Sequence, residues 1–215
     1  MPKETFLNLS DEKQEKVIRA AVHEFLDKGY EKGNVGAIAK HAGVAKGSMY
    51  QYFDNKKELF LYCVQWTSKF ITGKYNGMTF LKDMSIFDFF KRNAREMLIQ
   101  IKQEKELAFF MQEVFLGKFI NMNEEPMKVM MKAADDFILN MIRQGKNSGS
   151  IRKDIDDRIL TLYLLGVTTK IKEDIILRAK EAGTEVLESE YETYESDLDA
   201  MFELLNNGMG EKTCL

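Results

Sequence analysis

Residues 34–58 read NVGAIAKHAGVAKGSMYQYFDNKKE and contain two short helical patterns, a tight turn and the start of a third helix. Asn34 stands where a helix N-cap belongs, and apolar residues follow it at helical spacing. Gly43 predicts the end of that helix, because glycine tolerates the left-handed conformation found just past helix ends. Met49 and Phe53, four residues apart, can face inward from a second helix. The pattern predicts a helix-turn-helix, whose second helix enters the DNA major groove.

Many residues of this stretch agree, in order and without gaps, with one known signature. They are Ile38-Ala39, Ala42-Gly43-Val44, Lys46-Gly47-Ser48, Tyr50, Tyr52-Phe53 and Asn55-Lys56-Lys57-Glu58-Leu59. Together they resemble the N-terminal signature of the tetracycline-repressor (TetR/AcrR) family of bacterial transcriptional regulators. The resemblance covers residues 10–65, and the rest of the 215-residue chain carries no family motif.

Composition and periodicity predict an all-α protein. Hydrophobic residues make up 45% of the chain, there are only 2 Pro, and apolar residues recur at helical spacing. We expect an N-terminal three-helix helix-turn-helix bundle over residues 10–55. A long helix should join it to a larger helical domain, residues 56–210, in which the resemblance places ligand binding and dimerisation.

The predicted helix boundaries follow from caps, glycines and apolar spacing. Helices are expected over residues 10–28, 34–42, 46–53, 55–72, 85–103, 104–119, 126–144, 154–182 and 189–206. Loops are expected over residues 73–84, 121–125 and 145–150.

The charge distribution is uneven, although the net charge is only -3. Residues 32–57 hold five Lys and one acid, Asp54, whereas residues 183–203 hold eight acids and no Lys or Arg. A basic patch of this size is ordinary on a protein surface, so the motif carries the DNA-binding prediction and the charge only agrees with it.

The remaining composition predicts a cytoplasmic protein. The two cysteines, Cys63 and Cys214, form neither a disulfide framework nor a metal-binding quartet. No signal peptide is apparent, and no apolar run approaches the ~20 residues that a membrane helix requires.

The second helix supplies side chains suited to reading base edges. Lys46 can reach guanine or a phosphate, Ser48 can donate or accept, and Gln51 can pair with adenine. Gly47 allows close approach of the backbone to the bases. The predicted DNA-binding residues are Asn34, Lys46, Gly47, Ser48, Tyr50, Gln51, Tyr52 and Lys56.

Two tyrosines and two residues at helix starts complete this predicted set. The resemblance implies that the hydroxyl groups of Tyr50 and Tyr52 contact phosphates, but one of the two rings can pack inward, and Tyr50 is the better candidate. Lys56 and Asn34 begin helices, where backbone N–H groups attract phosphate. The sequence departs from the family pattern at Ala45, where Ser or Thr is usual; this change removes an N-cap worth about 1 kcal/mol.

The C-terminal region holds most of the Phe and Met residues. The resemblance implies a cavity for a small hydrophobic ligand, although for any single one of these residues core packing is the better explanation. The pocket candidates are Trp66, Phe70, Phe89, Phe90, Met97, Phe110, Met111 and Tyr163.

Two helices near the end of the chain carry more apolar surface than one internal core requires. One side of residues 154–182 carries Ile155, Ile159, Leu162 and Gly166. Another side carries Leu160, Leu164, Val167 and Ile171. The predicted homodimer contacts are Leu160, Leu164, Val167, Ile171, Leu198, Met201, Phe202 and Leu205. The alternative is that these residues complete the internal core.

These features predict a homodimeric DNA-binding regulator, a repressor released from a near-palindromic operator by a hydrophobic ligand. A helical module that binds DNA or protein without an inducer is the alternative. An enzyme is not expected, since no catalytic residue, metal site or cofactor motif is apparent.

Overall fold

The computed structural model describes residues 1–73, 85–119 and 124–207, and within these ranges the chain is helical and contains no strand. The predicted all-α class is confirmed. The helices are α1 (Glu4–Leu7), α2 (Asp11–Lys32), α3 (Val35–Ala42), α4 (Lys46–Tyr52), α5 (Lys56–Gly73), α6 (Ile86–Gln103), α7 (Lys105–Phe115), α8 (Glu125–Ser148), α9 (Asp157–Glu181) and α10 (Glu192–Asn207). A 3-10 turn, Val186–Glu188, lies between α9 and α10.

Glycines with positive φ interrupt α2 and follow the end of α7. Gly29 (φ 74°) interrupts α2 where an end was predicted, but a further turn continues to Lys32. α7 ends at Phe115 rather than near residue 119, because Gly117 adopts φ 72° and the N–H of Lys118 donates to the carbonyl of Glu113 (3.0 Å). A left-handed glycine with this backward hydrogen bond is a common helix end.

The predicted loop over residues 145–150 is wrong for its first four residues, which belong to α8. The Cδ1 atom of Ile151 lies 2.6 Å from the place that a Cβ at Gly145 would occupy. Gly145 therefore permits close packing inside the helix instead of ending it. The short helix α1 was not predicted. Of the predicted loop over residues 73–84, Gly73 is the last residue of α5 and the others lie outside the described residues.

The chain divides into two compact units. Unit 1 comprises Met1–Gly73 and Glu104–Ala133, and unit 2 comprises Lys74–Gln103 and Ala134–Leu215. Helices α5 and α7 thus share unit 1 with the helix-turn-helix. The predicted division of roles at residues 55 and 56 is a different boundary and remains a prediction.

Unit 1 is built around an aromatic cluster that joins α2, α5 and α7. The Phe60 ring lies 5.0 Å from Phe25, 5.4 Å from Phe110 and 4.8 Å from Phe119, measured between ring centroids. Burial of each such side chain contributes roughly 1.5–3 kcal/mol to stability. The helix-turn-helix is therefore packed directly on this core.

Unit 2 pairs the acidic stretch with basic side chains of α6 and α9. Arg95 on α6 lies 2.6 Å from Glu192, and Lys91 lies 3.2 Å from Asp199. Arg178 on α9 pairs with Asp197 on α10. Within the described residues, none of the helices combines the length and apolarity needed to cross a bilayer.

Candidate nucleic-acid interface

The turn between α3 and α4 sets the angle between the two helices. Gly43 adopts a left-handed conformation (φ 71°, ψ 29°). Its N–H donates to the carbonyl of Lys40 (3.2 Å), and the N–H of Val44 donates to that of Ala39 (2.9 Å). An L-residue would be strained at position 43, which is why the sequence has glycine there.

Helix α4 has one buried edge and one broad exposed surface. Met49 is 1% exposed and Phe53, which follows the helix, is 2% exposed, so both anchor α4 in the core of unit 1. The opposite surface carries Lys46, Gly47, Tyr50 and Gln51, all exposed, together with the half-buried Ser48. These five residues include every polar side chain predicted to read bases.

Two side-chain oxygens, one from Asn34 and one from Glu24, accept hydrogen bonds at the start of α3. The side-chain oxygen of Asn34 accepts hydrogen bonds from the N–H groups of Gly36 (2.7 Å) and Ala37 (3.3 Å). The backbone N–H of Asn34 in turn donates to the carboxylate of Glu24 (2.9 Å), which is buried on α2. Glu24 thus positions the cap, a role that sequence reasoning missed because it joins two helices.

Lys46 is also positioned by α3. Its Cδ and Cε atoms lie 3.5 and 3.6 Å from the place that a Cβ at Gly36 would occupy. The aliphatic part of Lys46 therefore lies across Gly36, while the residue as a whole is exposed. A long side chain can lie along a surface in this way while its charged group stays in solvent.

The two predicted tyrosines differ in their surroundings. Tyr50 is 50% exposed. Tyr52 is half-buried, and its ring packs edge-on against Phe6 at 5.6 Å between centroids. Tyr50 is therefore the tyrosine whose hydroxyl is better placed to reach a DNA backbone.

Lys56 is already bound within the protein. Its ammonium group donates to the carbonyls of Glu31 (2.9 Å) and Gly33 (3.2 Å) and lies 4.7 Å from the centroid of the Tyr30 ring. A cation at these carbonyls stabilises the end of α2. Any phosphate contact by Lys56 would have to be shared with this structural role.

The sequence that forms this surface matches a known family model. Residues 17–63 match the family model described as bacterial regulatory proteins, tetR family. Residues 17–63 therefore form a TetR-type N-terminal region. This match confirms the resemblance over these residues, since both rest on the same helices.

Two relatives match this chain over short stretches. The fatty acid metabolism regulator protein of Bacillus subtilis is 44% identical over 45 residues, which are 21% of this chain and 23% of the relative. The transcriptional activator FasR of Mycolicibacterium smegmatis is 40% identical over 55 residues, 26% of this chain and 25% of the relative. The matched stretches thus span about a quarter of these relatives' length.

Solved TetR-type structures match over nearly the whole chain. FadR from Bacillus subtilis, in complex with stearoyl-CoA, has a TM-score of 0.63 at 19% identity and covers 91% of this chain and 99% of FadR. FadR from Bacillus halodurans has a TM-score of 0.64 at 20% identity, with 95% and 100% covered. At these identities the likeness establishes the common fold and nothing finer.

The predicted ligand-pocket residues are divided between the two units. In unit 1, Trp66 and Phe70 stack at 4.9 Å, and Phe110 and Met111 are buried. In unit 2, Phe89 is buried, Phe90 is half-buried with its ring 5.3 Å from that of Phe89, and Tyr163 is 45% exposed. The Met97 side chain lies outside the described part of the structure.

The dimer candidates lie mostly on the inward side of α9 and α10. Leu164 and Met201 are buried within unit 2, whereas the other six (Leu160, Val167, Ile171, Leu198, Phe202 and Leu205) are half-buried. The second apolar side of α9 is exposed: Ile159 is 45% exposed and Leu162 is 58% exposed. Its neighbour Gly166 has no atom within 4 Å of the place that a Cβ would occupy.

The chain's two histidines meet on the surface of unit 1. The His23 and His41 rings lie 5.8 Å apart, and Nδ1 of His23 is 2.6 Å from the Glu106 carboxylate. Nearby, Arg19 pairs with Glu104 at 2.9 Å. These contacts join α2 to α7. Across the described ranges, no group of three or more His, Cys, Asp or Glu side chains can hold a metal ion.

Proposed function

We propose that this protein is a homodimeric DNA-binding transcriptional regulator of the TetR family that acts in the cytoplasm as a repressor. The observation that carries the proposal is α4: its apolar edge is anchored by Met49 and Phe53, and its opposite surface presents exposed polar side chains. A two-turn helix held in this way matches the element that other helix-turn-helix proteins place in the major groove.

The proposed roles follow from the chemistry of each group. Lys46 and Gln51 read base edges, because ammonium and amide groups pair with guanine and adenine in the major groove. Ser48 assists them, and Gly47 lets the backbone come close. Tyr50 contacts a phosphate, since phosphate contacts fix the register of a protein on the duplex. Asn34, Tyr52 and Lys56 support the surface mainly from within, through a helix cap, ring packing and a bond to the end of α2.

The proposed dimer contact uses the exposed apolar side of α9. Ile159, Leu162 and Tyr163 are each at least 45% exposed, and the small Gly166 allows close approach. This moves the proposed contact from Leu164, which is 4% exposed in its own unit, to the neighbouring side of the same helix. Two-fold symmetry would then match a near-palindromic operator with half-sites ~34–36 Å apart.

The dimer is tested by sedimentation of the Leu162→Glu variant. Adding one charge per subunit to an apolar contact is expected to shift the protein from dimer to monomer at micromolar concentration, because a charge buried without a partner strongly opposes association. The matched control is Leu204→Glu, which changes an exposed leucine of α10 in the same way. A dimer that survives Leu162→Glu would place the contact elsewhere.

We also propose that residues 10–55 bind DNA and that residues 56–210 bind a hydrophobic ligand and dimerise. The buried Phe and Met residues of the second region support an apolar site. Because the fold is that of FadR, which was solved with stearoyl-CoA, acyl-CoA thioesters are the first compounds to screen. The ligand must bind the DNA-free state more tightly than the DNA-bound state if it is to release the operator.

The experiment that tests DNA binding is a selection followed by a shift assay. The wild-type protein selects duplexes from a library with roughly 30 randomised base pairs, enough for two half-sites one helical turn apart. Lys46→Ala and Gln51→Ala should each weaken binding to the selected duplex by about 1–3 kcal/mol and relax its sequence preference. Undiminished specific binding by both variants would mean that α4 does not read the bases.

The same selected duplex separates the two candidate regulators. Release by an acyl-CoA or another hydrophobic compound supports the ligand-responsive repressor. The second candidate is a helical DNA- or protein-binding module without an inducer. The observation that favours it is that Phe110 and Met111, two of the pocket candidates, are buried in the core of unit 1.

A further inference from the structure

Resting on the proposed DNA-binding role, we propose that residues 3–7, the capping segment, form the C-terminal cap of α4, and that Lys3 and Thr5 are positioning residues for DNA recognition. Nothing in the helix-turn-helix pattern includes these residues. They lie some forty residues before α4 in the chain and meet it only in the folded protein.

The last four carbonyls of any α-helix have no partner within the helix and need one from outside. In α4 all four are paired. The N–H of Phe53 donates to the carbonyl of Met49 (2.9 Å). The capping segment supplies the other three partners: the ammonium of Lys3 to Tyr50 (3.0 Å), the hydroxyl of Thr5 to Gln51, and the N–H of Lys3 to Tyr52 (2.9 Å).

The capping segment is itself firmly held. Phe6 is fully buried, and its ring lies 4.8 Å from Phe53 and 5.5 Å from Tyr62 between centroids. At the far end of the segment, the side-chain amide of Gln14 donates to the carbonyls of Leu7 (3.2 Å) and Leu9 (3.0 Å). The partners of α4 are therefore fixed to the core of unit 1.

Lys3 also places a positive charge where α4 favours one. The C-terminal end of a helix carries a partial negative charge, which a nearby cation stabilises. The Lys3 ammonium lies 2.6 Å from the carboxylate of Asp54, which is the only acid within residues 32–57. Lys3 thus offsets the negative charge of Asp54, which follows α4 by two residues.

The connection to DNA recognition lies in which residues are capped. Tyr50 and Gln51 accept these hydrogen bonds through their carbonyls, and their side chains are the exposed groups proposed to contact DNA. A helix of seven residues is marginal on its own, so its last turn depends on outside partners. When that turn frays, both side chains leave their positions.

The test compares Thr5→Val, which deletes the hydroxyl at nearly constant shape, with Thr5→Ser, which keeps it. Lys3→Met deletes the ammonium and keeps the aliphatic chain. Lys13→Ala is the control, because it removes an exposed lysine charge from α2 in the same unit. Each full-length variant is measured with the duplex that the wild-type protein selects and with a scrambled duplex of the same composition.

We expect Thr5→Val and Lys3→Met to weaken binding to the selected duplex by about threefold to tenfold for each recognition helix engaged, the effect of one lost hydrogen bond. Binding to the scrambled duplex should weaken less, because only the Tyr50 phosphate contact is lost there, and Thr5→Ser should restore wild-type affinity. Without DNA, amide hydrogen exchange in residues 46–53 should be faster in Thr5→Val than in Thr5→Ser or Lys13→Ala.

Three results would overturn the proposal. Unchanged affinity for the selected duplex in both deletion variants would separate the capping segment from recognition. For Lys3→Met, equal weakening on both duplexes, with a salt slope lower by about 0.9 per contact, would make Lys3 a direct phosphate contact. If the wild-type protein selects no duplex, the proposed function itself fails, and the DNA-free exchange measurement still reports whether the cap exists.

Discussion

Replacing Gly47 by Ala is expected to make the protein more stable and a weaker binder of DNA. Gly47 is the second residue of α4, and a Cβ built there meets no atom within 4 Å. Alanine is therefore free of steric conflict in the DNA-free protein. In a helix it is more favourable than glycine by about 0.5–1 kcal/mol.

The two effects of Gly47→Ala have opposite signs for a physical reason. A gain of this size should raise the melting temperature of a chain of this length by about 1–4 °C. On DNA, the added methyl group would stand between the backbone of α4 and the base edges. It would push Lys46 and Gln51 outward, and loss of one good base contact weakens binding by about 1–3 kcal/mol.

The assay measures thermal unfolding and affinity for the selected duplex on the same preparations. Gly73→Ala is the matched control, because Gly73 ends α5 and a Cβ there also meets no atom within 4 Å. This control should leave DNA affinity unchanged. If Gly47→Ala raises the melting temperature and binds the selected duplex as tightly as the wild type, the backbone of α4 does not approach the bases closely.

Three further predictions concern other sites. Ala45→Ser should add the missing N-cap of α4, raising the free energy of unfolding by about 1 kcal/mol in urea titrations and tightening DNA binding; no gain in stability would mean that the serine side chain does not cap. Thr67→Val should raise the free energy of unfolding by about 1–2 kcal/mol, because the Thr67 hydroxyl is buried and has no hydrogen-bond partner among the described residues. Ser68→Ala, in contrast, loses a hydrogen bond to the Val64 carbonyl and should lower the free energy of unfolding. Burial raises the pKa of the Cys63 thiol, so iodoacetamide should leave Cys63 unmodified at neutral pH until the protein is unfolded, as followed by mass spectrometry of its peptide.

The recognition helix was predictable because its signals are local. An N-cap, a left-handed glycine and an i, i+4 apolar pair act within a few residues of one another. Asn34, Gly43, Met49 and Phe53 accordingly have the conformation or burial expected of them. The uncapped start of α4 at Ala45 was visible in the same way.

Helix ends that depend on packing were less predictable. A glycine can end a helix or admit a neighbour, and residue type alone does not distinguish the two. Gly145 lies inside α8, where Ile151 packs closely against it. Gly117 instead follows the end of α7 in a left-handed conformation. The same ambiguity applied to α9, where both apolar sides fitted either a core or a partner contact.

By itself, the sequence determined the all-α class and the helix-turn-helix, because these depend on periodicity and on contacts between near neighbours. The resemblance of its N-terminal region to the TetR family rested on matching residues in that same region. Only the tertiary structure decided which groups complete the helix-turn-helix. Glu24 holds the start of α3, Lys56 binds the end of α2, and Lys3 and Thr5 cap α4. These bonds join residues between ten and nearly fifty positions apart, and only the packing of unit 1 brings such residues within hydrogen-bonding distance.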